Sequence, residues 1–142
     1  MKRFLSTILI LLLPLFVYSV TVNEVDENED GIADQWIEMI NDNISKVILD
    51  RNFDGEPDYS MLFDEDSKKI EEALDYNFDG EMDDFYYYVD EVLTRREIDS
   101  NFDGFIDIYV FLDEGVYIKK IERDTDYDGE IDFVKDYGAA GS

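Results

Sequence analysis

Apolar residues occur in short blocks set apart by acidic, glycine-bearing stretches. Phe85-Tyr86-Tyr87-Tyr88-Val89 is an aromatic, strand-prone block, and Val92 to Ile98 follows it across a turn at Asp90-Glu91. Ile108-Tyr109-Val110-Phe111-Leu112 repeats the arrangement, with a turn at Asp113-Glu114-Gly115 and a return from Val116 to Ile121. Both read as β-hairpins. Phe133-Val134 starts a further unit whose return strand is missing, as in the end cap of an array. Earlier in the chain the pattern is ambiguous. Trp36, Ile40, Ile44 and Val47 also fit a helical face, and Ile70-Glu71-Glu72-Ala73-Leu74 holds good helix formers. Equivalence between repeats favours hairpins throughout. The expected fold is all-β: an antiparallel meander of five two-stranded repeats, with acidic loops along one edge and short turns along the other. The alternative is a pair of α-helical, EF-hand-like units in repeats one and two.

One apolar run has a different meaning. Lys2 and Arg3 precede Phe4 to Val20, which carries no charge and centres on Leu9-Ile10-Leu11-Leu12-Leu13. A basic start and an apolar middle, with Val17 and Ser19 before a cleavage point, read as a secretory signal peptide over 1–19. The alternative is a retained anchor, since the run approaches spanning length. Pro14 and the polar Tyr18-Ser19 favour cleavage. The repeat domain is then 20–137, and 138–142 is a frayed tail.

The acidic stretches share one nine-residue pattern, D-x-(N/D)-x-D-G-x-x-D. It starts at Asp26, Asp50, Asp75, Asp99 and Asp124, at intervals of 24 or 25 residues. Position 1 is always Asp. Position 3 is Asn28, Asn52, Asn77, Asn101 and Asp126. Position 5 is Asp30, Asp54, Asp79, Asp103 and Asp128, and position 9 is Asp34, Asp58, Asp83, Asp107 and Asp132. Position 6 is always glycine, where a sharp turn is needed. Calcium explains the set: it takes six to eight oxygen ligands, with side chains from positions 1, 3 and 5 and a carbonyl from position 7 converging on it. Magnesium fits less well, because it demands tight octahedral geometry and keeps its waters. Ordinary Asp-Gly turns would explain the glycine and some aspartates, but not oxygen donors at four positions in five copies. The expected cofactor is about five Ca²⁺, one per loop. Position 4 is aromatic in four copies (Phe53, Phe78, Phe102, Tyr127), which suggests packing between loops. Position 8 is mostly apolar, which suggests a side chain tucked into a core.

Composition narrows the function. The 142 residues hold 37 Asp+Glu and 12 Lys+Arg, a net charge of −25, with no His and no Cys. Loss of residues 1–19 removes two basic residues and no acid, so the charge becomes 10 − 37 = −27. There is no disulfide framework, thiol nucleophile or imidazole chemistry. So acidic a chain repels nucleic acid, and after signal cleavage it has no reason to bind a membrane. At 45% hydrophobic and 15% aromatic content it has apolar surface to bury, which argues against disorder.

The loops resemble the calcium-loop superfamily of EF-hand, dockerin and thrombospondin type 3 repeats. An EF-hand needs an acid at loop position 12; here that position holds Ile37, Met61, Tyr86, Val110 and Lys135. The chain is most similar to the tandem DxNxDGxxD repeats of bacterial secreted and cell-surface proteins. That resemblance implies calcium binding and a secreted, periplasmic or cell-surface location. The expected role is a structural or adhesive module rigidified by calcium, with protein or glycan partners at the cell surface. A calcium buffer or sensor is the second reading. A carboxylate-dependent glycosidase is the third, and it lacks a catalytic constellation, since sixteen of the acids occupy ligand positions. No enzyme activity is expected. Tyr86, Tyr87, Tyr88, Tyr109 and Tyr117 form a candidate stacking surface for a sugar or peptide, though their simpler role is core. Lys and Arg on the returning strands (Lys46, Lys68, Lys69, Arg95, Arg96, Lys119, Lys120, Arg123) are expected to offset acid across strands.

Overall fold

The computed structural model describes residues 19–138. The expected leader, apart from Ser19, and the tail beyond Gly138 lie outside them. Ten strands form one antiparallel sheet in sequence order: β1 (Val20–Val25), β2 (Gln35–Ile40), β3 (Asn43–Leu49), β4 (Tyr59–Phe63), β5 (Lys69–Leu74), β6 (Asp84–Val89), β7 (Val92–Ile98), β8 (Ile108–Asp113), β9 (Tyr117–Arg123) and β10 (Phe133–Asp136). This is the all-β meander expected. The helical alternative for repeats one and two is overturned. Trp36 to Val47 forms the β2–β3 hairpin, and Ile70 to Leu74 lies in β5. β-branched and aromatic residues pair across these strands, and a short turn at Asn41-Asp42 interrupts what reads as one helical period. The strand count differs in one respect. The tenth strand is β1, which precedes loop 1, whereas repeat five contributes β10 alone. Val20 to Val25 merges in sequence with the apolar run before it and so gives no separate strand signal.

Acidic loops join β1 to β2, β3 to β4, β5 to β6, β7 to β8 and β9 to β10; they are numbered 1 to 5 below. The other edge carries the short turns. Two of these have two residues, both with positive φ: Asn41 (52°) and Asp42 (66°), then Asp90 (49°) and Glu91 (64°). Such turns match the right-handed twist of the flanking strands. In all four hairpins the register shifts next to the turn, at Glu38/Met39, Leu62/Phe63, Tyr87/Tyr88 and Phe111/Leu112. A bulge there increases twist.

Among the described residues the sheet has no second layer. Substantial contacts between elements run only between sheet neighbours. The core expected from the aromatic strands is correspondingly absent: the buried apolar residues are Val47 and Ala73, and most strand residues are half-buried. Cross-strand pairs do the work instead. Asp84, fully buried, accepts from Arg96 Nε at 2.8 Å, from the same guanidinium's second nitrogen, and from the Tyr86 hydroxyl at 3.0 Å. Glu72 collects the Tyr59 hydroxyl at 2.6 Å, the Tyr88 hydroxyl at 3.0 Å and Lys69 Nζ at 2.7 Å. Lys69 also lies 4.3 Å from the Tyr88 ring centre, and Arg95 lies 4.2 Å from that of Tyr87. The bases on the returning strands offset acids, but only partly across strands as expected: Arg96 reaches Asp84 on β6 and Lys68 reaches Asp90, whereas Arg95 with Glu97 and Lys120 with Glu122 pair along one strand. By register Tyr87 and Tyr109 lie on one face, and Tyr86 and Tyr88 on the other. The tyrosines thus do not form a single stacking surface.

Burial works against the charge of Glu72, yet the hydrogen bonds from Lys69, Tyr59 and Tyr88 outweigh it and hold the carboxyl below its ordinary 4.5. A carboxyl lowered on folding stabilises fully above its unfolded value and loses that contribution as pH falls through the folded one. Glu72→Gln is therefore expected to cost about 1–2 kcal/mol at neutral pH. It should also flatten the fall in stability below pH 4.5, read from urea unfolding as a function of pH.

Candidate metal centres

Each loop is built by its own side chains. The position-1 carboxylate accepts the glycine N–H at 2.7–2.9 Å in all five loops. Its other oxygen takes the position-4 N–H in loops 2 to 5. Phe53, Phe78, Phe102 and Tyr127 stand in the left-handed region, with φ of 59–62°, as Glu29 does at 62° in loop 1. A side chain with a Cβ is strained there by about 1–2 kcal/mol. These rings are half-exposed rather than enclosed between loops. The position-5 carboxylate accepts the position-7 N–H at 2.8–3.0 Å. In loops 1 to 4 it also accepts the position-3 amide at 2.7–3.0 Å. The position-9 carboxylate returns to the position-2 N–H. Glycine turns at φ of 86–95°, where other residues are strained.

Burial differs from the expectation. Position 8 is half-buried or exposed, so no side chain is tucked into a core there. The aspartates are buried instead: Asp34, Asp58, Asp83 and Asp107 at position 9, and Asp50, Asp75, Asp99 and Asp124 at position 1. Asp26 is half-buried and Asp132 exposed, at the two ends of the array. No buried side-chain oxygen or nitrogen lacks a partner among the described residues.

The twenty predicted donors are not all brought together alike. In loop 4, oxygens of Asp99, Asp103 and Asp107 lie within 4.8 Å of one another; in loop 5, those of Asp124, Asp126 and Asp128 do. These two triads could hold a metal ion. A cavity of about 220 Å³ lies between the two loops, lined by Asp103, Asp107, Asp124, Asp128, Tyr127 and Phe105 among others. Among the described residues, the carboxylates of loops 1 to 3 do not close to that distance. Position 3 there is Asn28, Asn52 or Asn77, but it is also asparagine (Asn101) in loop 4, so the amide does not decide which loop closes. Loop 2 has a further difference. Arg51 at position 2 pairs with Asp58 and donates a second bond to the Asp58 carbonyl at 3.3 Å. Position 2 is no ligand position, so the pattern alone did not single Arg51 out.

Electrostatics separates the loops too. Asp128 first, then burial, Asp132 and Asp124 push the Asp126 carboxyl up, since loop 5 has an acid where its neighbours have an amide. Burial raises Asp83 against the N–H groups of Tyr76 and Asn77. Asp79 is lowered by the Glu81 N–H and the Asn77 amide. Burial opposes the charge on Asp124, but N–H donors from Gly129, Tyr127, Asp128 and Asp126 lower it overall.

Successive loops are joined. The position-1 N–H of each loop donates to the position-9 carbonyl of the loop before: Asp50 to Asp34, Asp75 to Asp58, Asp99 to Asp83 and Asp124 to Asp107, at 2.8–2.9 Å. A position-7 glutamate also reaches the next glycine. Glu56 Oε2 lies 2.9 Å from where a Cβ on Gly80 would stand, and Glu81 Oε2 lies 2.9 Å from the same point on Gly104.

No family model and no curated protein matches the chain. Among solved structures, it is similar to one described as accessory secretory protein 1,2 and 3 in Streptococcus pneumoniae. The TM-score is 0.51 at 13% identity, over 72% of this chain and 19% of that one. At that identity the likeness concerns the fold alone, and the chain spans about a fifth of that neighbour's length. Among the described residues no helix is long and apolar enough to cross a membrane.

Gly55→Ala is expected to cost about 1–2 kcal/mol in urea unfolding, from backbone strain alone, because open space surrounds its Cβ position. Gly80→Ala should cost about as much, because the flexible Glu56 tip can swing aside. An equal loss from both variants would place the cost in the left-handed turn rather than in the Glu56 contact.

Proposed function

We propose that the five loops bind calcium and that the protein is an exported structural or adhesive module stiffened by the ion. The observation that carries this reading is the recurrence of oxygen donors at positions 1, 3, 5 and 9 around a left-handed glycine in five copies. The two closed carboxylate triads support it. The donors are all oxygen, and the chain offers no nitrogen or sulfur ligand from His or Cys, a set that suits a hard cation. In each loop the ligands would be the side chains at positions 1, 3 and 5 and the carbonyl at position 7, with position 9 reached directly or through water. The ion would supply positive charge where the loop holds three or four negative groups.

The structural role follows from where the loops lie. They connect successive hairpins along the chain, beside the pairing of β3 with β4, β5 with β6 and β7 with β8, and their bases are bonded to one another. An ion that tightens a loop thereby tightens the junction between two hairpins. Sensor action needs an element that moves on binding; in EF-hands that element is a helix pair, and here each loop is flanked by paired strands. The basic start and apolar run before Ser19 support export.

Isothermal calorimetry is expected to show about five ions at the weak affinity of extracellular modules, roughly 10⁻⁴–10⁻³ M. Thermal melting should rise with calcium and fall with chelator. An unchanged melting temperature would sink the reading, and submicromolar binding would favour a buffer. Loops 4 and 5 should fill before loop 2, where Arg51 competes for Asp58. Arg51→Ala should therefore tighten the weakest site while leaving the triad sites unchanged, resolved by titration followed through backbone NMR shifts.

A further inference from the structure

The outermost strands of the described sheet are of opposite kinds. In every hairpin, a strand that leaves an acidic loop (β2, β4, β6, β8) pairs with one that enters the next loop (β3, β5, β7, β9). β10 leaves loop 5, and no entering strand lies beside it among the described residues. β1 enters loop 1, and among the described residues no leaving strand lies beside it.

Two features link all successive repeats and a third links two of the four inner steps, and each has an open half at either end. The first is strand register. β8 and β9 pair Ile108 with Arg123, Tyr109 with Glu122 and Val110 with Ile121. The same register laid on the two ends sets Phe133 beside Val25, Val134 beside Glu24 and Lys135 beside Asn23. The second is the aspartate ladder: the Asp26 N–H and the Asp132 carbonyl are its two ends, and neither has the loop-to-loop partner found at the four inner steps. The third is the position-7 glutamate. Glu56 reaches Gly80 and Glu81 reaches Gly104, the two inner steps whose first loop has glutamate at position 7; Glu130 has no following loop among the described residues, and Gly31, like Gly55 and Gly129, has nothing within 4 Å of its Cβ position. Laid end to end, Glu130 meets Gly31 as Glu56 meets Gly80.

We propose that a second copy of this chain docks its β1 against β10, in hairpin register, so that the sheet continues from one molecule into the next. The edges suit this. Charge and proline usually blunt an edge strand; β1 holds a single charge, Glu24, and no proline, and β10 has no proline and holds its charges, Lys135 and Asp136, in its second half. Val20, Val22, Val25, Phe133 and Val134 are 41–58% exposed. The chain enters β1 and leaves β10 at the short-turn edge: the Ser19 carbonyl accepts from the Asn41 N–H, and the Tyr137 N–H donates to the Lys119 carbonyl. Neither described end therefore crosses the strand edge that would pair. The contact joins two different surfaces, so it repeats in open, head-to-tail fashion. No metal enters the argument, and it stands or falls apart from the calcium reading.

The chain lacks cysteine, which allows a direct test. Asn23→Cys and Lys135→Cys place single thiols on the two exposed edges. Each purified protein is first checked for an unchanged circular-dichroism spectrum, and then oxidised at physiological salt alone and as an equal mixture. The expected result is a disulfide-linked dimer in the mixture that neither variant gives alone, with the unsubstituted protein sedimenting faster as its concentration rises. A mixture that gives no such dimer overturns the proposal. So does equal cross-linking of either variant with itself, or a sedimentation rate independent of concentration.

Discussion

The structure depends on aspartates buried at the bases of its loops. A carboxylate removed from water costs several kcal/mol unless its oxygens are bonded. Here the carboxylates fold the chain because backbone N–H groups meet that demand. The position-1 aspartate draws in the glycine N–H, and the position-9 aspartate draws back the position-2 N–H. Each loop is thereby closed at its top and its base by the same residue type. The N–H groups gain as well, since a tight nine-residue loop offers few carbonyls to bond them. A hydrophobic core does not do this work, because among the described residues the sheet is one layer thick and no element covers its faces.

That lack of a second layer explains the strands. A sheet exposed on both faces cannot rely on apolar alternation to hold its register, and it would be prone to slip. Long polar side chains fix the register instead. The Arg96 fork on Asp84 and the hydroxyls and ammonium on Glu72 are satisfied in one alignment only. Shifting a strand by one residue would move each partner to the opposite face. The bulge before every turn adds twist, which helps a lone sheet resist flat stacking.

How much of this the sequence showed depends on the kind of signal. The hairpins of repeats three and four were legible, because aromatic runs and turn residues point the same way. Repeats one and two were ambiguous locally, since Trp36, Ile40, Ile44 and Val47 satisfy a helical period by coincidence; only repeat equivalence resolved them. β1 was hidden by the apolar residues before it. The loops were legible as units, but not which of them close: that depends on Arg51, on Asp126 replacing an amide, and on contacts between side chains distant in sequence. The absent core was illegible for a different reason. Tyr86, Tyr87 and Tyr88 have the same strand preference whether or not anything covers them, and only their hydroxyl partners reveal that no apolar layer does.

The linked loops set a limit on how independent the repeats can be. Antiparallel strands lie about 4.8 Å apart, so loops separated by two strands stand about 10 Å apart. Two charges of −3 at that distance repel by about 4 kcal/mol in unscreened water, and by roughly 1 kcal/mol at physiological salt. Against this, each inner step has one aspartate N–H bonded to a carbonyl, and such a bond is worth about 1 kcal/mol net. The two terms are of one size and opposite sign. The loop-to-loop terms alone are therefore close to balance at physiological salt and unfavourable at low salt, and the strand pairing on either side holds the junction. Any cation that neutralises even part of a loop tips it toward order. The same balance governs every junction, so the array responds to charge as a whole although each repeat touches only its neighbours.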